Sequence, residues 1–210
     1  MKHNNLNERF RKFYPVVIDV ETTGFNHKKN ALLEIAVITL QMDKHGWLKK
    51  EKTIHFHIKP FKGSLIETES LQFNKIDPFN PLRQAVTELE ALQCICDIIQ
   101  QSMKKNKCNK SIIVAHNAHF DHKFIMQAIK RCKIKNHPFH NFSTFDTATL
   151  SGLAVGQTVL AKSCKAFGLK FNNQNAHSAL YDTLKTAHLF CTIINKWKTL
   201  GGWPPNIQKN

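Results

Sequence analysis

Near the start of the chain, Phe13-Tyr14-Pro15-Val16-Val17-Ile18-Asp19-Val20-Glu21 is apolar almost throughout, yet it carries two acids two residues apart. A continuous apolar run followed by Thr22-Thr23-Gly24 predicts a strand buried on both faces, which belongs inside a sheet covered by helices. Side chains alternate along a strand, so Val17, Asp19 and Glu21 share one face while Val16, Ile18 and Val20 share the other. Two carboxylates on one buried face repel each other and lose hydration. A divalent cation would relieve both penalties, since Mg2+ is held by one or two carboxylates together with substrate phosphate. The acids could instead be solvated at the end of the strand, or one could cap the turn at Thr22-Thr23-Gly24. This run alone leaves those readings open.

A chain of 210 residues predicts a single domain over 1–210 with a substantial core. The longest apolar stretch, Ala31 to Leu40, is far too short to span a bilayer and holds Glu34. The first residues lack the apolar segment of a secretory signal. Six cysteines, Cys94, Cys96, Cys108, Cys132, Cys164 and Cys191, form no C-x-x-C pair. They predict reduced thiols in a cytoplasmic protein. Thirty Lys and Arg against fifteen Asp and Glu give a net charge of +15, the electrostatic footprint of a nucleic-acid binder. Only Arg9, Arg11, Arg83 and Arg131 are arginine. Lysine acts as a point charge, which suits phosphate contact more than base reading. Abundant Lys, Asn and Ile also arise from A/T-rich coding, so charge is a supporting signal only.

Hydrophobic periodicity orders the rest. Strands are predicted over 32–42, 52–60 and 110–117, and a strand or turn over 142–150. Long amphipathic helices are predicted over 80–106 and 118–132. A further helix over 157–169 is expected to end with Gly168 as its cap, and a final one to run from about 178 to 200 and stop at Gly201-Gly202-Trp203-Pro204-Pro205. Strands first, then alternating helix and strand, indicate an α/β domain with a mixed central sheet flanked by helices. In the third strand Ile54, Phe56 and Ile58 share one face and His55 and His57 the other. Two histidines at that spacing suit a metal, although an outward polar face is the commoner arrangement.

Two more acids fall on inward stripes. Asp121 keeps the helical period with Ile125, Ala128 and Cys132, and Asp182 with Thr186, Leu189 and Ile193. An acid in a first helical turn is also what the helix dipole favours. His177 precedes Asp182 by five residues and can approach it only from the loop before the helix, where Ser178 as N-cap would place it.

The segments DVETTG, AHNAHFD and HSALYD, in that order and with TVLAKSCKAFGL before the last, resemble the three motifs of the DEDDh 3′-to-5′ exonucleases. The resemblance covers nearly the whole chain. It implies an RNase H-like fold, with Asp19, Glu21, Asp121 and Asp182 holding two Mg2+ ions and His177 as general base. Ser178 stands where the tyrosine type of the family has its tyrosine. The resemblance is strongest to members that trim 3′ ends of tRNA and other stable RNAs and also cut single-stranded DNA. It implies that Phe25, Phe73, Phe120 and Phe142 stack on the last bases and that Glu69 touches a base edge. It also implies that Arg9, Arg11, Lys110 and Lys135 form a basic patch serving the active site of the other subunit in a homodimer. Without the resemblance, phenylalanines would be read as core and lysines as solvated surface. The competing functions are a proofreading-type DNA exonuclease and a catalytically silent RNA-binding module.

Overall fold

The structure is a computed structural model and describes residues 5–201. After a short helix α1 (Leu6–Arg9), the opening apolar run forms β1 (Phe13–Thr22), the middle strand of a five-stranded sheet. Strand β2 (Leu32–Met42) pairs antiparallel with β1, and β3 (Leu48–His57) pairs antiparallel with β2 at one edge. On the other side of β1 come β4 (Lys110–Ala115) and then β5 (Phe139–Asp146), both parallel. The order is therefore β3-β2-β1-β4-β5, a mixed sheet.

The helices α2 (Thr68–Asn74), α3 (Glu88–Lys105), α4 (His119–Arg131), α5 (Thr147–Val155), α6 (Leu160–Ala166) and α7 (Ala179–Thr199) flank that sheet. Helix α7 packs along β1, β2 and β3, whereas α4 meets β5 and β1. One continuous core of Val16, Ile18, Ile35, Val37, Ile99, Phe124, Ile125, Phe190 and their neighbours joins sheet to helices. Tyr14, fully buried, donates its hydroxyl to Leu40 O at 2.8 Å and accepts from Leu40 N at 3.0 Å. That satisfies β2 where its register with β3 shifts between Ile38 and Leu40.

Several predicted boundaries are corrected. The third strand occupies 48–57 rather than 52–60, because Leu48, Lys49 and Lys50 pair with Met42, Gln41 and Leu40. The helix expected over 80–106 is two pieces: a 3-10 turn at Pro81–Arg83 and then α3. Gln84 adopts a left-handed φ of 49° that breaks the first piece. A reciprocal capping box starts the second: Thr87 Oγ1 accepts from Glu90 N at 3.2 Å, and Glu90 Oε2 accepts from Thr87 N at 2.8 Å. Leu82 is consequently exposed, and Val86 bridges to Ile58 instead of joining a helical stripe.

The stretch 142–150 is the end of β5 plus the start of α5, with Asp146 capping Ala148 N at 2.8 Å. Helix α6 is shorter than predicted, but Gly168 does terminate it. At φ +72° Gly168 donates to Lys165 O, and Leu169 donates to Cys164 O, the paired bonds of a Schellman motif. The final helix spans 179–199. Its predicted stop at Gly201 to Pro205 lies outside the described residues except for Gly201.

Candidate active site

Two of the acids are placed by β1 itself. Asp19 and Glu21 project from the same face near its C-terminal end, where the register with β2 shifts between Glu21 and Thr22. Pairing with β4 stops at Val17–Val114. Beyond that point Val20 N donates to Asp121 Oδ1 at 3.1 Å, so the first turn of α4 is tied to the strand between Asp19 and Glu21. Asp182 arrives from the first turn of α7. Oxygen atoms of Asp19, Glu21 and Asp182 all lie within 4.8 Å of one another.

That gathering of like charges is costly. Burial, followed by repulsion from Asp121, Glu21, Asp182 and Glu34, holds the Asp19 carboxyl well above its ordinary range. Burial and then the charges of Asp182, Glu34 and Asp121 push Glu21 up to about 8. Burial raises Asp121 to about 8 and raises Asp182 as well. Asp182 Oδ1 is buried with no hydrogen-bond partner. An all-oxygen set of this kind, with a buried oxygen left over, fits hard divalent cations such as Mg2+.

His177 sits in the loop just before α7, as its distance from Asp182 required. Its backbone is left-handed, with φ 66°, and its N–H donates to Asp182 Oδ2 at 2.9 Å. Ser178 occupies the N-cap position with extended backbone, yet its side chain makes no capping bond. The Asp182 carboxylate fixes the turn instead. The His177 ring lies 4.0 Å from the Phe73 ring, centroid to centroid.

These groups line one cleft of about 730 Å³ together with Phe25, Glu69, Phe73 and Phe120. Phe25 is 77% exposed and Phe73 61%, so neither is a core side chain. Phe25 meets Phe120 edge-on at 6.1 Å, and Phe120 packs back onto buried Phe124 at 4.9 Å. Gly24 positions Phe25: a Cβ there would come within 2.3 Å of Asn30 Nδ2 and 2.5 Å of the Glu67 carboxyl carbon.

Other expected residues lie elsewhere. Phe142, 80% exposed on β5, lines a neighbouring cavity of about 720 Å³ with Lys135, and His119 borders both. Arg9 and Arg11 border a third groove, their guanidinium carbons 5.1 and 5.4 Å from the Phe10 and Phe13 ring centroids. Lys110 Nζ donates to His137 O at 3.2 Å. The four basic residues thus do not enter the acid cleft of their own chain.

Sequence reasoning missed residues around the cleft, among them Asn74, His116, Asn117 and Asp146. Asn74, His116 and Asn117 line the cleft. Asn74 Nδ2 donates to Thr22 O at 3.0 Å, and His116 is anchored to Thr147 Oγ1 and Thr158 O at 3.0 and 2.8 Å. Asp146 lies behind them and accepts from Asn117 N at 3.0 Å and Ala118 N at 3.2 Å, fixing the loop that leads into α4. The helix-capping pattern Asp146-Thr147-Ala148 was the one available signal for it.

Carboxylates thus converge at the end of a central strand, beside exposed aromatic rings, in one cleft. Residues 16–190 match the family model described as exonuclease. The chain belongs to the exonuclease family. Over 207 residues it is 65% identical to ribonuclease T of Buchnera aphidicola subsp. Schizaphis graminum, covering 99% of this chain and 94% of that protein. It is 60% identical to ribonuclease T of Cronobacter sakazakii over 199 residues, 95% of this chain and 89% of that protein. Solved structures confirm the RNase H-like fold. Escherichia coli exonuclease I in complex with a dT13 oligonucleotide superposes with a TM-score of 0.66 at 18% identity, over 90% of this chain but 42% of that one. A 3′-exonuclease solved in the recognition of a histone mRNA stem-loop gives 0.67 at 18% identity, over 85% of this chain and 62% of that one.

Proposed function

We infer that this 3′-to-5′ exoribonuclease trims the 3′ ends of tRNA and other stable RNAs, with His177 as general base and Asp19, Glu21, Asp121 and Asp182 as ligands of two Mg2+ ions. The observation that carries the reading is the single cleft in which four acids and His177 meet the exposed rings of Phe25 and Phe73. When bound, the ions supply charge stabilisation at both the entering and the departing oxygen. His177 accepts the proton of the attacking water at a ring nitrogen, a task suited to an imidazole near neutral pH. Phe25, Phe73 and Phe120 hold the last bases by stacking, which tolerates any sequence and contributes about 1–3 kcal/mol per base. Glu69, on the rim, offers an acceptor to a base edge.

Arg9, Arg11, Lys110 and Lys135 serve the second subunit of a homodimer, which is consistent with their lying away from their own acid cleft. The six free thiols suit the cytoplasm. Incubation with a tRNA bearing extra 3′ nucleotides tests the assignment. Mononucleotides should be released one at a time from the 3′ end in Mg2+ and not in EDTA. Release from single-stranded DNA with the tRNA left intact would point to a DNA exonuclease instead.

A further inference from the structure

The sheet holds a second convergence of metal-binding side chains, one strand beyond the acids of the cleft. In the β2–β3 pairing Glu34 stands opposite His57 and Ala36 opposite His55, so Glu34, His55 and His57 share a face. Glu34 Oε1 is 3.0 Å from His57 Nδ1, and Glu34 Oε2 is 3.5 Å from His55 Nε2. The three residues offer donor atoms that all lie within 4.8 Å of one another. These histidines are not an outward polar face: their side chains are 22% and 36% exposed, and that of Glu34 is 10%. His55 Nε2 and His57 Nδ1 are buried and make no hydrogen bond. The ring nitrogens therefore approach a carboxylate without the alignment that would satisfy them, an arrangement that ordinarily has an explanation such as a bound ion.

We propose that Glu34, His55 and His57 bind one divalent transition-metal ion of the zinc class, separate from the ions of the catalytic acids. Two imidazoles and one carboxylate select zinc-like ions over Mg2+, and they leave a fourth position for water. The two close approaches, 3.0 and 3.5 Å, run to different Glu34 oxygens, so the carboxylate would turn to present one oxygen to an ion whose ligands stand about 2.0–2.2 Å away. The carboxylate also has an orienting partner, since Ala179 N donates to Glu34 Oε2 at 3.4 Å. The ion would tie edge strand β3 to β2 and, through Glu34, to the start of α7. None of this depends on which nucleic acid the enzyme cuts.

Competition with a chromophoric chelator, in excess Mg2+, measures Zn2+ binding to the full chain. One Zn2+ per chain should bind, and it should be retained when the acid site is disabled by Asp19→Asn and Asp182→Asn. It should weaken about tenfold or more in the His55→Gln, His57→Gln variant. No uptake in excess Mg2+, uptake lost with the acids, or unchanged affinity in the histidine variant would each overturn the proposal. Should the histidine variant fail to fold, ring-nitrogen NMR of the unmodified chain decides. One equivalent of Zn2+ should shift His55 and His57, whereas shifts confined to His116 and His177 would place the ion in the catalytic cleft.

Discussion

Glu21 in the metal-free chain is pushed up to about 8, against an ordinary carboxyl at 4.5, by burial and neighbouring acids. A raised folded-state pKa contributes stability that is fully present below the unfolded value and is lost as pH climbs through the folded one. Thermal unfolding in EDTA should therefore show Tm falling from about pH 5 to about pH 8, less steeply in Glu21→Gln. Mg2+ favours the ionised acids, so its addition should raise Tm more at the upper end of that window than at the lower. Parallel profiles for wild type and Glu21→Gln would mean that Glu21 does not bear the strain described. The exposed rings make a different prediction. Changing Phe25 and Phe73 together to Ala removes little buried surface, so stability should hold within about 1 kcal/mol. The KM for single-stranded 3′ ends should rise about tenfold or more. Loss of several kcal/mol of stability with unchanged KM would make them structural.

The elements that present these residues were legible in the sequence to different degrees. Strand β2 was readable as a long, continuous apolar run that is buried on both faces, and helix α7 as a long segment with one buried stripe. The acids were readable for the same reason: Asp121 and Asp182 sit in phase with apolar residues. The break at Gln84 was hidden, because Leu82 and Val86 happen to continue the period of α3 although one is exposed and the other pairs with Ile58. Helix α2 was missed altogether. It has seven residues and buries only Asn74, so it leaves no apolar stripe to detect. Asp146 showed in the sequence only as a helix cap, because its part in the site is a pair of bonds to backbone N–H groups far away in sequence. Those bonds give it a testable weight. Asp146→Ala should cost about 1–3 kcal/mol by leaving the N–H of buried Ala118 unpaired, and kcat should fall as the entry to α4 loosens. Unchanged kcat at unchanged stability would remove it from the positioning of Asp121.

For the whole molecule, the proposed homodimer, in which Arg9, Arg11, Lys110 and Lys135 serve the neighbouring active site, predicts complementation between subunits. A chain with Asp19→Asn and a chain with those four residues changed to Gln should each be nearly inactive alone. Unfolded and refolded together, half of the dimers pair unlike chains, and about a quarter of all sites then combine intact acids with an intact neighbouring patch. The recovered activity should fall steeply with salt, because phosphate contacts release counterions. A mixture no more active than its parents, with mixed dimers demonstrated, would mean that the patch does not act across subunits. The central claim is that the acid cleft performs metal-dependent hydrolysis from the 3′ end, and Asp182→Asn tests it most directly. The variant keeps the size of the side chain but removes the charge of the one acid contributed by α7. Release of 3′ mononucleotides in Mg2+ should drop about a hundredfold or more, while RNA binding measured in Ca2+ persists. Release at the wild-type rate from the purified, correctly folded variant would contradict the account.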